Sequence, residues 1–154
     1  MNRGRYFEDF AVGDVYEHWP GRTITEADNV WFTLLTMNTN PIHFDSAYAA
    51  EGEFGRPLVN SCLTLSMVVG MSVSDVSQNA VANLGWNDVK LPEPVFVGDT
   101  LYARSEVISV RPSGSRPGQG IVTVRTAGRK ASGVEVISFE RTVLVAGPRP
   151  APAA

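Results

Sequence analysis

Apolar and polar residues alternate along the back half of the chain. The stretches DTLYARSEVISVRPS, GIVTVRTAGRK and EVISFERTVLVA place apolar side chains at every second position. That is the period of a strand with one face in a core and the other in water, as in antiparallel sheets. AVANLGWNDVKLPEPVFV is a further β-like run, rich in Val, Leu, Trp and Phe, with Pro92 and Pro94 marking an edge or bend. PSGSRPGQG reads as a loose hairpin loop between two strands. Val-Gly-Asp stands at Val12-Gly13-Asp14 and again at Val97-Gly98-Asp99, each time opening a strand, which is reused turn chemistry and not an internal repeat.

The front of the chain mixes periods. VGDVYEHW starts with a Gly-Asp turn and runs into a strand. TITEADNVWFTLLTMN predicts a helix: Thr25 caps it, Asp28 stands three positions on, and Val30, Leu34 and Met37 fall at helical spacing. The helix must stop near Asn38, because Pro41 biases Asn40 away from helical angles. DSAYAAEGEFG predicts a short second helix, started by Asp45 and ended by Gly52 or Gly55. RPLVNSCLTLSMVVGMSVSD is apolar almost all round, the pattern of a buried helix, here over about residues 57–74. One buried helix with several long antiparallel strands gives an α+β architecture, a curved sheet wrapped around a long central helix. The open edge of such a sheet invites a second copy, so a homodimer or higher homo-oligomer is expected.

Composition narrows this picture. The 154 residues suffice for one domain with a sizeable core, expected over residues 1–146, with a frayed Pro- and Ala-rich tail over residues 147–154. Apolar residues make up 44% and charged residues 19%, which is globular and not disordered. A net charge of −3 gives no general attraction to nucleic acid or to an anionic membrane. The single cysteine, Cys62, rules out an internal disulfide and fits a reducing compartment. No basic-then-apolar leader opens the chain, and LTLSMVVGMSV is too short to span a bilayer. A cytoplasmic location is the expectation.

Two histidines carry most of the possible chemistry. His43 lies in the polar turn NTNPIHFD, stiffened by Pro41. Its imidazole changes charge near neutral pH, so a rigid loop would present a general acid or base. The competing reading is a surface histidine in a turn. His18, in YEHWP, has no polar cluster around it in sequence and reads as structural or solvent-facing. Cys62, inside the expected buried helix, reads as a small core residue. No metal-ligand spacing, phosphate-binding Gly loop or Gly-x-Ser-x-Gly occurs, so no metal and no cofactor are expected. Asp45 reads as a helix cap and not as a base. The start of the central helix offers free N–H groups near Asn60 and Ser61, able to stabilise a negative oxygen. Ordinary capping explains the same groups.

Together these pieces resemble the MaoC-like dehydratase family, which includes the (R)-specific enoyl-CoA hydratases. The run from Asn38 to Asp45 is similar to the family's Asp-x-Asn-Pro-x-His-x-Asp, and Ala49 follows in the short helix. Arg56-Pro57-Leu58-Val59-Asn60-Ser61 is similar to the family's Arg-Pro-x-x-His-Gly, and LPEPVFVGDTL to its strand ending in a Gly-Asp turn. SDVSQNAVANLGW with PVFVGDTL most resembles the branch that includes mesaconyl-CoA hydratases. The resemblance implies a hot-dog fold, usually dimeric, and reversible hydration of an enoyl-CoA, with CoA as part of the substrate and not a cofactor. It further implies His43 as general acid and base, a water held by Asn38, and Ser61 N–H as the oxyanion donor. Asn40 would order the loop, and Asn60 and Arg56 would border the substrate. Two positions depart from the family: Asn38 stands where the family has a catalytic Asp, and Asn60-Ser61 where it has His-Gly. An amide orients a water but takes no proton. His43 acting alone, or another carboxylate such as Asp75 or Asp88, remains open. So do a non-catalytic acyl-CoA binding module and a thioesterase on the same fold, since a fold does not decide function.

Overall fold

The structure, a computed structural model, describes residues 4–148. Five strands form one antiparallel sheet: β1 (Val15–Thr23), β2 (Ala80–Lys90), β3 (Thr100–Pro112), β4 (Gly120–Lys130) and β5 (Glu135–Val145). Their order is β1-β3-β4-β5-β2, so the three strands of clearest alternation sit in the middle and the first two form the edges. β3 pairs with β4 from Leu101↔Lys130 to Pro112↔Gly120, and β4 with β5 from Gly120↔Val145 to Arg129↔Glu135. The predicted alternation holds: Gly120, Val122, Val124, Thr126 and Gly128 are buried along β4 while Arg125 and Arg129 face out. The Asp-containing turns at both ends of the β1–β3 pair are copies of one geometry. Gly13 and Gly98 both have φ of 94°, a left-handed conformation that favours glycine, and the Asp14 and Asp99 carboxylates each accept an N–H three residues back at 2.9 Å.

The helices are α1 (Glu26–Leu35), α2 (Ser46–Ala50) and α3 (Ser61–Met71). Thr25 and Asp28 form the predicted capping box of α1, and Asp45 caps α2 through Tyr48 N–H at 3.0 Å. α3 crosses the sheet so closely that a Cβ on Gly128 would lie 2.6 Å from Val68 Cγ2. Val68 is fully buried there among Leu63, Leu101, Ile137 and Phe139. Burying a side chain of that kind contributes roughly 1.5–3 kcal/mol. A second patch, with Val107, Val122, Val124 and Val143, closes the far end under Phe10 and Val76.

The central helix differs from expectation in length and in burial. It spans Ser61–Met71, not residues 57–74, and a π-helical turn at Val73–Ser77 follows it. The residues before it are pinned as extended chain, by a bridge between Leu58 and Phe96 and by Val59 N–H to Val95 O at 2.9 Å. Only one face is buried, through Leu63, Thr64 and Val68, while Cys62 is exposed and not in the core. A single sheet covers one side of a helix, and all-round apolarity does not say how many sides are covered. α1 reverses the expected face. Its buried residues are Asn29 and Thr33, while Leu34 is 55% and Met37 86% exposed. Specific partners for two polar side chains outweigh the apolar spacing.

His18 is structural. Its Nδ1 lies 2.9 Å from Asp75 and its Nε2 2.8 Å from Ser105 Oγ, which in turn lies 2.8 Å from Thr126 Oγ1. The Ser–His–Asp order is that of a nucleophilic triad, but Ser105 is 0% exposed and no substrate can reach its oxygen. Arg5 also bonds Asp75 at 2.9 Å, fastening the N-terminal segment to the π turn.

Candidate active site

α1 ends in a chain of local bonds that builds the His43 loop. Met37 turns left-handed at φ 58°, and Asn38 N–H donates to Thr33 O at 3.0 Å. Asn38 Oδ1 then accepts Asn40 N–H at 3.0 Å, and Asn40 Oδ1 accepts Ile42 N–H at 3.2 Å. Two successive turns of this kind lead into one 3-10 turn, Pro41–His43, closed by Asp45 N–H to Pro41 O at 2.8 Å. The expected stiffness of the loop is therefore real. Asn40 caps the 3-10 turn.

The loop delivers a histidine of defined tautomer. His43 is 9% exposed, and its Nδ1 lies 2.8 Å from Leu58 O. A carbonyl oxygen only accepts, so Nδ1 carries the hydrogen and, in the neutral ring, Nε2 carries a lone pair. Among the described residues Nε2 has no hydrogen-bond partner, and it is not among the shielded unpaired atoms. The ring borders a cavity lined also by Glu26, Asn29, Val30, Phe44, Arg56 and Val97. A base with an accessible lone pair, held in a mostly apolar cleft, is equipped to move a proton.

The start of α3 is tied to this loop through α1. Asn29 Nδ2 donates to His43 O at 2.8 Å and to Leu58 O at 3.1 Å, and Asn29 Oδ1 accepts Asn60 N–H at 2.9 Å. Asn60 N–H is therefore not a free donor. Asn60 Oδ1 caps Cys62 N–H at 2.9 Å, and its Nδ2 donates to Thr33 Oγ1 at 3.2 Å. Ser61 N–H, the first of the helix, has no partner among the described residues. Ser61 lines a second cavity with Phe54, Leu58, Leu91 and Pro94. Pro57 borders the first cavity and Leu58 the second, so consecutive residues of one segment line both.

The remaining candidates divide. Arg56 lines the His43 cavity and lays its guanidinium 3.8 Å from the Phe96 ring centre. Asn38 shares the loop but makes no hydrogen bond to His43 among the described residues. Asp75 and Asp88 are elsewhere, bonded to His18 and Arg5 and to Lys90. The carboxylate that lines the His43 cavity is Glu26, which sequence reading did not single out. Asn29 and Thr33 were missed as well. Their signal was present as two uncharged polar residues four apart on a helix whose other uncharged residues are all apolar. Among the described residues no group of three or more His, Cys, Asp or Glu is placed to hold a metal ion. None of their helices is long and apolar enough to cross a membrane.

The family model described as mesaconyl-CoA hydratase matches residues 1–154. A mesaconyl-CoA hydratase of Cereibacter sphaeroides is 35% identical over 98% of this chain and 45% of its own length. The solved structure of a putative MaoC domain protein dehydratase from Chloroflexus aurantiacus superposes with a TM-score of 0.91 at 34% identity, over 100% of this chain and 44% of that one. A Mycobacterium tuberculosis protein described as a double hotdog superposes at 0.86 with 26% identity, over 98% of this chain and 47% of that one. The chain thus spans less than half the length of the mesaconyl-CoA hydratases it matches. A five-stranded antiparallel sheet on one central helix, the Asn38–His43 loop and these matches together place the chain in the mesaconyl-CoA hydratase family of MaoC-like, hot-dog proteins.

Proposed function

We propose that this chain hydrates an enoyl-CoA thioester reversibly, with mesaconyl-CoA, the substrate named for its relatives, as the first choice. The observation that carries the reading is His43, which lines a cavity and is held as the Nδ1–H tautomer by Leu58 O. In the forward direction Nε2 removes a proton from a water held with the help of Asn38. The water oxygen bonds to the β-carbon, the C=C electrons move towards the thioester, and negative charge develops on its oxygen. Ser61 N–H, unpaired at the positive end of α3, donates to that oxygen. The proton on Nε2 then passes to the α-carbon, so one water is added and the imidazole returns to its starting state. CoA arrives with the substrate, and the scheme uses no resident cofactor. Arg56, which lines the His43 cavity, borders the substrate, while Asn60 acts behind it by holding the start of α3.

The chain works as a homodimer or in a larger assembly in this reading. β2 is an open edge, and Val81, Leu84, Trp86 and Val89 on it are 41–52% exposed. The matched relatives run to about twice the length of this chain, and one of them is described as a double hotdog.

One specific observation favours the non-catalytic binding module: Asn38 spends its carbonyl oxygen on Asn40 N–H. The test is incubation of purified protein with mesaconyl-CoA and crotonyl-CoA, following the enoyl-thioester absorbance. Loss of absorbance that drops at least about a hundredfold in His43→Ala is expected. Binding without turnover would favour the module, and free thiol released from a saturated acyl-CoA would favour a thioesterase.

A further inference from the structure

We infer that Asn29 is a positioning residue for the reaction, the clamp that holds the His43 ring in its working tautomer. The inference rests on the hydratase reading for its catalytic consequence, but not for its structural one. The Asn29 side chain is buried, at 1% exposure, and all its bonding capacity on one face of α1 goes to the site. Its two amide hydrogens go to two carbonyl oxygens, His43 O at 2.8 Å and Leu58 O at 3.1 Å. Its oxygen takes Asn60 N–H at 2.9 Å. Only one orientation of the amide satisfies all three, because a flipped amide would set its oxygen against two carbonyls.

Leu58 O is the decisive atom. It accepts from Asn29 Nδ2 and from His43 Nδ1, so both of its lone pairs are used. The oxygen that decides which ring nitrogen carries the hydrogen is itself held by Asn29. The same amide ties the backbone of His43 to that of Leu58 and, through Asn60, to the start of α3, where Ser61 N–H waits. α1, the His43 loop and the Leu58–Asn60 segment are thus joined at one side chain. A residue that only filled space would need none of these bonds, and the spacing of α1 offers apolar residues for packing instead. Removing the amide takes the Asn29 bonds from His43 O and from the Asn60 N–H, and leaves Leu58 O bonded to the His43 ring without the second donor that holds it in place. The ring then loses the acceptor geometry that selects its tautomer. Small displacements of a catalytic group cost on the order of a hundredfold in rate.

The experiment compares the full chain with Asn29→Ala and Asn29→Asp. Asn29→Asp keeps the volume and the acceptor for Asn60 N–H but, ionised, turns an oxygen towards two carbonyls. Long-range proton–nitrogen NMR of the histidine ring reads the tautomer directly. The wild type is expected to show His43 as a single Nδ1–H form at a pH where the ring is neutral. The variants are expected to show a mixture, with kcat for thioester hydration reduced on the order of tenfold to a hundredfold and KM within about threefold. A single Nδ1–H form retained in whichever variant folds overturns the inference, whatever happens to the rate. If the wild type turns over no thioester, the hydratase reading fails, and the NMR comparison still decides the role of Asn29.

Discussion

Asn38 is the residue on which the proposed activity turns. Its Oδ1 supports the loop through Asn40 N–H, and an aspartate oxygen supports it equally well. Asn38→Asp is therefore expected to keep the fold and to add a group able to take a proton, raising the hydration rate about tenfold or more. Steady-state rates of the two proteins on mesaconyl-CoA check this, and a lower rate in the variant would show that the amide suits the site. Other residue-scale features were unequally visible. Asp45 as a cap follows from neighbours within three positions, whereas Asn40 as a loop former came from the family resemblance. The pairing of His18 with Asp75 joins residues 57 positions apart, and no local pattern announces it.

At the scale of elements, α1 carries both the legible and the hidden part of the site. Its capping box was evident from Thr25 and Asp28 alone. Thr25→Ala is expected to cost about 1 kcal/mol in denaturant unfolding. The Thr25 backbone N–H, then its hydroxyl, and Arg22 hold the Asp28 carboxyl below its ordinary 3.8. Burial pushes the Asp75 carboxyl up, but the bonds from His18 and Arg5 outweigh it and hold that group low as well. A depressed carboxyl contributes stability that is present above the unfolded value and lost as pH falls through the folded one. Thermal melts are expected to weaken below about pH 3.8, and less steeply in Asp28→Asn, whose side chain in the capping box no longer titrates. The face of α1 was not legible, because its apolar spacing favours Val30, Leu34 and Met37 while three carbonyl and amide partners claim Asn29.

For the whole molecule the open question is what covers the second side of α3 and the edge of β2. Cys62, Ser66 and Gly70 are exposed along that helix, and the edge strand presents four large apolar side chains to solvent. A helix apolar on all sides, half-covered in one chain, is what an assembly of two hot-dog units explains. The double variant Leu84→Lys, Trp86→Lys is expected to shift sedimentation towards a single chain while leaving the far-ultraviolet circular dichroism unchanged. A wild type that sediments as a monomer at working concentration would remove the proposed dimer. The number of strands and their antiparallel pairing were legible because a period of two survives any tertiary context. The order β1-β3-β4-β5-β2 was not, since alternation does not name a neighbour.

The sequence by itself determined the strands, the helix caps, the paired Gly-Asp turns and the stiff loop that ends at His43. All of these depend on contacts within a few residues, which spacing records. Only the tertiary structure decided that Leu58 O selects the His43 tautomer, that Asn29 holds that oxygen, and that Glu26 and not Asp75 or Asp88 shares the cavity. These are hydrogen bonds and burials between segments far apart in the chain. Their partners are chosen by how α1, the loop and the start of α3 pack, and no periodicity along the chain encodes that choice.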